Sequence, residues 1–184
     1  MKYVKILRDG KGVWGVLHGD LVRTLEAPPF EELRYDGESL PLEACRLLAP
    51  CEATKLGCVG VVIKRRAKDV PAERAMDYVL GFTCLNDVTA RDVQKSDGQW
   101  ARGKNMDGFA PMGPVVTDEV DPASLDIRTL LNGEVVQQSN TRLLITSVPE
   151  IIAFITASMT LEPGDVIATG TPAGVGPMHP GDTV

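Results

Sequence analysis

The sequence predicts a mostly β fold with a few short helices, of the α+β class. Three observations predict it: 18 glycines and 13 prolines with no low-complexity run to absorb them, an opening series of short apolar runs divided by Asp-Gly and Gly-Asp turns, and only two segments with both a helical stripe and a recognisable start. So many chain-bending residues belong to short strands and turns rather than to a helical bundle. The 184 residues are 43% apolar and 24% charged, enough to bury a core as one domain with a small appendage.

Taken in order, residues 3–7, 13–17 and 21–25 are short apolar runs separated by Asp9-Gly10 and Gly19-Asp20, which makes a β-meander. This meander and its linker form a small N-terminal domain over residues 1–54. Pro28-Pro29 ends the meander, and residues 31–39 are polar enough for a linker or exposed loop. The chain is apolar again from Leu47 to about Ile63, with residues 57–63 reading as a buried strand, and the main domain takes residues 55–184. The basic run Lys64-Arg65-Arg66-Ala67-Lys68 reads as a solvated strand end. Pro71 suits the first turn of a helix whose stripe is Ala72, Ala75, Met76, Val79 and Leu80, stopped by Gly81. Thr89 and Asp92 have capping spacing for a further helical turn over 89–94. Residues 115–116, 126–131, 134–138 and 165–168 read as strands, with Asn132-Gly133 as a hairpin turn. Ser147 and Glu150 form a capping box before the apolar face Ile151, Ile152, Phe154, Ile155 and Met159, and Pro163-Gly164 ends that helix.

Charge and cysteines narrow the function. With 19 Lys and Arg against 25 Asp and Glu, the net charge of −6 argues against a general binder of nucleic acid or anionic membrane. Cys45, Cys51, Cys58 and Cys84 form no C-x-x-C pair, and the only histidines are His18 and His179, so the thiols read as free and buried rather than as a zinc site or disulfide scaffold. No signal-peptide pattern opens the chain and no run of about 18 apolar residues occurs, which predicts a soluble, cytoplasmic protein.

The densest meeting of polar and apolar residues lies at 78–114. An apolar strand delivers Asp87 to its end, and a helical turn from Thr89 brings Asp87, Arg91 and Gln94 near one another. That set suits a hard metal ion or an anionic substrate, while an N-capping aspartate and a surface ion pair account for Asp87 and Arg91 equally well.

The run Gly81-Phe82-Thr83-Cys84-Leu85-Asn86-Asp87-Val88-Thr89-Ala90-Arg91-Asp92-Val93-Gln94, followed by Gln99-Trp100-Ala101-Arg102-Gly103-Lys104 and on to Gly113-Pro114, closely resembles the signature region of the fumarylacetoacetate hydrolase family. The resemblance extends to residues 132–141, to the helix after Ser147 and to residues 161–176, and covers most of 55–184. The N-terminal meander resembles the small first domain of bacterial members, including 2-hydroxyhepta-2,4-diene-1,7-dioate isomerase/decarboxylase enzymes of homoprotocatechuate degradation. It implies the family's C-terminal mixed β-roll preceded by the meander, a homodimer, and Mg2+ (or Mn2+ or Ca2+) chelating a 2-oxo or 2-hydroxy-dienoic acid and stabilising an enolate. By the same resemblance Asp87 is a metal ligand and Gln94 binds substrate. Lys104 binds substrate and serves as a catalytic positive charge, and Thr171 holds the substrate carboxylate. The implied activity is isomerisation or decarboxylation in aromatic-compound catabolism. The alternatives are hydrolysis of acylpyruvate-type 2,4-dioxo acids and, for a chain complete at 184 residues, a non-catalytic relative.

Two departures stand beside these matches. Gly60 runs directly into Val61 where the family carries a lid, a histidine and an E-x-E pair, and no E-x-E occurs anywhere in the chain. Glutamates two apart on a strand share one face, so that pair and Asp87 would make three metal ligands. The expectation drawn is a longer product, with a lid and metal-ligand segment between 60 and 61 and a C-terminal tail not represented here.

Overall fold

The computed structural model describes residues 1–30, 32–48 and 58–184. Eleven strands occur among them: β1 (Lys2–Arg8), β2 (Lys11–His18), β3 (Leu21–Leu25), β4 (Tyr35–Pro41), β5 (Arg46–Leu48), β6 (Val59–Ile63), β7 (Val79–Cys84), β8 (Val116–Thr117), β9 (Asp126–Leu131), β10 (Glu134–Asn140) and β11 (Val166–Ala168). Three α-helices join them, α1 (Arg91–Asp97), α2 (Ala101–Lys104) and α3 (Val148–Ser158). The fold is mostly β with short helices, as the turn-rich sequence predicts.

Nine strands form one sheet in the order β11-β6-β7-β8-β1-β2-β3-β4, with β5 also on β1. Every pairing among the described strands is antiparallel, where the resemblance implied mixed sheets. The two-residue turns between β1, β2 and β3 leave no room for the crossover that parallel neighbours need. The meander joins the rest of the sheet through Lys2↔Thr117 and Tyr3↔Val116. The boundary placed between residues 54 and 55, and the start of the strand read from residue 57, fall outside the described residues.

Strand β6 is buried on both faces, which accounts for its unbroken apolar run. Val61 and Ile63 pack with Phe82, Val148, Ile152 and Leu161 under α3, while Val62 packs on the opposite face with Tyr3, Trp14, Leu80 and Val166. Gly60 and Val61 are consecutive members of this one strand, opposite Thr83 and Phe82.

Several elements differ from the sequence reading. Residues 35–39, part of the 31–39 segment expected as linker or loop, belong to β4; Arg8 reaches Asp36 at 3.1 Å and Glu38 at 2.6 Å, and the Thr24 hydroxyl donates to Asp36 at 2.6 Å, so polar side chains fasten this strand. The helix after Pro71 is a 3-10 helix, Ala72–Tyr78, and Val79, Leu80 and Gly81 belong to β7, because the ladder with β6 claims their backbone groups. Helix α1 starts at Arg91 with no side-chain cap, and the Thr89 hydroxyl donates to the Asp87 carbonyl instead. Helix α3 has the expected box, with the Glu150 carboxylate accepting from the Ser147 amide at 2.9 Å and hydroxyl at 2.6 Å. It ends at Ser158, before Pro163-Gly164, because Leu161 already pairs with Ala67. Its buried positions are Val148, Ile152 and Thr156, and Phe154 and Met159, expected inside, are exposed. The core narrows to the i, i+4, i+8 line that faces β6.

Truncating this line separates core from surface. Ile152→Ala is expected to cost about 2–5 kcal/mol in urea unfolding at unchanged m-value, and Phe154→Ala about 0.5 kcal/mol or less.

Candidate functional site

The site lies where the chain leaves β7. Leu85 bridges to Met112, the Asn86 amide donates to the Pro111 carbonyl at 3.0 Å, and Asp87 follows at the sheet's rim. Helices α1 and α2 meet at Gly103, where a Cβ would lie 3.0 Å from the Gln94 Cβ and 3.1 Å from the Ala90 carbonyl oxygen. That close approach brings the next residue, Lys104, to Asp87. The Lys104 ammonium donates to Asp87 Oδ2 and, at 3.3 Å, to Thr89 Oγ1. The two charged side chains are only 22% and 19% exposed, so the pair is shielded more than a surface bridge yet remains open on one side.

Gln94 is buried on α1 at 6% exposure. Arg91 Nη1 donates to its Oε1 at 2.7 Å, which fixes the amide with its acceptor occupied. Its Nε2 is buried without a partner among the described residues. An orphaned buried donor costs about 1–3 kcal/mol, which a ligand acceptor would recover. Arg91, expected beside Asp87, therefore acts on Gln94.

Thr171 is exposed and follows β11. Its hydroxyl oxygen accepts from Gln137 Nε2 at 2.9 Å, and the same nitrogen donates to the Pro172 carbonyl at 2.9 Å. Cys58 lies buried immediately before β6. Burial pushes its thiol pKa up, and the charge of Asp87 raises it further. Cys58 precedes β6, Asp87 follows β7 and Thr171 follows β11 at one rim of the sheet, since Val59 pairs with Cys84 and the Thr169 amide donates to the Val59 carbonyl at 3.3 Å, and Gln94 flanks Lys104 through Gly103. Of the thiols expected to be buried, Cys58 is, Cys45 is half-buried, Cys84 is exposed and Cys51 lies outside the described residues; the position of Cys58 at this rim was missed. The signal for it is register, since Val59 pairs with Cys84 and so sets Cys58 at the rim that carries Asp87.

The divalent ion implied by the resemblance needs several oxygens. Asp87 supplies one carboxylate, already engaged by Lys104, and among the described residues no group of three or more His, Cys, Asp or Glu side chains could hold a metal. The described residues do not fit such an ion; their chemistry is that of a lysine cation with amide and hydroxyl donors.

The fumarylacetoacetate (FAA) hydrolase C-terminal family model matches residues 44–184, and a Rv2993c-like N-terminal model matches residues 1–50. Protein Rv2993c of Mycobacterium tuberculosis is 41% identical over 216 positions, covering 88% of this chain and 82% of that protein. The alignment is longer than the 184-residue chain, so that relative carries residues with no counterpart here. An uncharacterized protein of Archaeoglobus fulgidus is 54% identical over 128 residues, 70% of this chain and 51% of that one. The chain thus spans about half the length of several curated relatives, as with one from Methanocaldococcus jannaschii at 53%. Among solved structures, 5-carboxymethyl-2-hydroxymuconate delta-isomerase from Mycobacterium smegmatis superposes with a TM-score of 0.94 at 34% identity, over 99% of this chain and 92% of that one. For 2-hydroxyhepta-2,4-diene-1,7-dioate isomerase from Mycobacterium marinum the values are 0.92 and 36%, over 99% and 91%. Maleylpyruvate hydrolase from Sphingobium sp. SYK-6, solved with manganese(II) and pyruvate, reaches 0.79 at 26%, over 99% and 92%.

The buried, raised thiol makes a labelling prediction. Iodoacetamide should modify exposed Cys84 first and leave Cys58 intact near neutral pH, with Cys58 labelling emerging only at more alkaline pH or on unfolding, read by peptide mass mapping.

Proposed function

The chain belongs to the fumarylacetoacetate hydrolase family, and from that premise we propose that its Lys104 site takes a 2-oxo or 2-hydroxy-dienoic acid and isomerises or decarboxylates it through an enolate. The observation that carries this reading is the set of donors placed at or beside this rim of the sheet. Lys104 brings an ammonium, Gln94 a buried unpaired N–H2 group, and Thr171 a hydroxyl whose oxygen already accepts. A carboxylate and an adjacent enolate oxygen are acceptors only, so the charges and lone pairs match.

The chemistry follows from that match. In ketonisation the enol proton leaves oxygen, a proton adds at a carbon of the conjugated chain, and negative charge is held on oxygen between the two events. In decarboxylation the carbon–carbon bond to the leaving carboxylate breaks, its electron pair enters the same enolate, and carbon dioxide departs. A fixed ammonium beside that oxygen stabilises the charge as it develops, and Asp87 holds the ammonium in place. Thr171 anchors the carboxylate that stays.

A second reading, a non-catalytic member that binds the acid, is favoured by the single carboxylate at Asp87. We assign the activity to aromatic-compound catabolism on the names of the mycobacterial isomerases, carry the homodimer over from the family, and propose a cytoplasmic location. No helix among the described residues is long and apolar enough to cross a membrane.

The test is turnover and binding of 2-hydroxy-dienoic, 2-oxo and acylpyruvate acids by the 184-residue chain, with magnesium and with chelator. Lys104→Met is expected to lower kcat/KM about 10²- to 10³-fold with the fold intact by circular dichroism. Undiminished turnover in that variant would sink the enolate assignment, and binding without any turnover would favour the second reading.

A further inference from the structure

The hairpin β9–β10 stands apart from the main sheet and pairs with no other strand among the described residues. A lone two-stranded ribbon needs support, and this one finds it in the C-terminal segment. At its tip the Asn132 amide donates to the Thr183 carbonyl at 2.9 Å, and the Asn132 side chain donates to Asp182 at 2.8 Å. At its middle, Gln137 holds Thr171 and Pro172. Between these ties Gly174, at φ 104°, lies so close to the hairpin that a Cβ there would stand 2.2 Å from the Val136 carbonyl oxygen. The ladder slips between Val135 and Gln137, leaving Val136 as the extra residue of a bulge. A bulge turns the following side chain out of its regular direction, and here that side chain is Gln137.

The Gln137 contacts have a fixed polarity. The Pro172 carbonyl can only accept, so the atom facing it is the amide nitrogen, whose two hydrogens serve Pro172 and Thr171. The Thr171 hydroxyl oxygen is thereby an acceptor toward Gln137, and its own hydrogen is left to point elsewhere. Elsewhere includes the rim where β7 delivers Asp87, because Thr169, two residues before Thr171, donates its amide to the Val59 carbonyl at 3.3 Å and Val59 pairs with Cys84.

We infer that Gln137 is a positioning residue: it clamps the loop after β11 and orients the Thr171 hydroxyl as a hydrogen-bond donor toward a bound carboxylate. This rests on the reading of the site as one for a 2-oxo acid. Gln137 touches no substrate, and the bulged hairpin serves as the seat from which the site's exposed wall is set.

The experiment is a double-mutant cycle read by calorimetric binding of pyruvate and of oxalate to the 184-residue chain. Gln137→Met should weaken binding about three- to tenfold in the wild-type background and leave it nearly unchanged in Thr171→Val, while Thr171→Ser restores sensitivity to Gln137→Met. Equal losses in both backgrounds, or none in either, overturn the donor role. Amide hydrogen exchange at residues 173–176 should quicken in Gln137→Met, and unchanged exchange overturns the clamp. A wild-type chain that binds neither acid overturns the acid-site reading and the donor role together, whereas wild-type binding that Gln137→Met leaves intact overturns the donor role alone.

Discussion

Burial of β6 on both faces is the constraint from which the other placements follow. One face is covered by α3 and the 3-10 helix before β7, the other by residues of the meander, so the strand admits only apolar or small side chains along its length. Its neighbours β7 and β11 end at the same rim, which is where Cys58, Asp87 and Thr171 emerge. A rigid, doubly covered strand thus fixes the positions of three site residues that are far apart in sequence. Local mobility in the exposed loops cannot easily separate them, because their anchors are core.

On that rim, electrostatics sets which groups are charged and which are unpaired. The Lys104–Asp87 pair is partly desolvated, so its charges act more strongly than on an open surface, and the unpaired Gln94 amide adds a donor whose hydrogen-bonding need is unmet. The second layer, Arg91 on Gln94 and Gln137 on Thr171, decides which end of each polar group faces inward. An arrangement of this kind favours an acceptor-rich anion over a neutral ligand of the same shape. The lone carboxylate of Asp87, already engaged by Lys104, sets the described residues apart from a multi-oxygen cation site.

Much of the architecture was legible along the chain. The meander with its Asp-Gly and Gly-Asp turns, the hairpin at Asn132-Gly133, the box at Ser147 and Glu150 and the buried run into Ile63 all rest on interactions within a few residues, and local chemistry specifies them. The misreadings have one cause. Residues 35–39 looked like loop because their polar side chains are satisfied by Arg8 and Thr24, which lie in other strands. Val79 and Leu80 looked helical because their spacing permits it, yet the ladder with β6 takes them into a strand. Phe154 and Met159 looked buried because the stripe is wider than the surface available to cover it.

The site divides the same way. Asp87, Arg91 and Gln94 stand close enough along the chain for a strand end and a helical turn to group them, whereas Lys104 and Thr171 were candidates only through the family resemblance. Cys58 and Gln137 could not, because their roles depend on register between β6 and β7 and on a bulge that seats one hairpin against a segment more than thirty residues away. Side-chain chemistry and turn placement belong to the linear chain; which donors and acceptors meet belongs to packing, since hydrogen bonds and burial are decided by distances that only the folded sheet brings within reach.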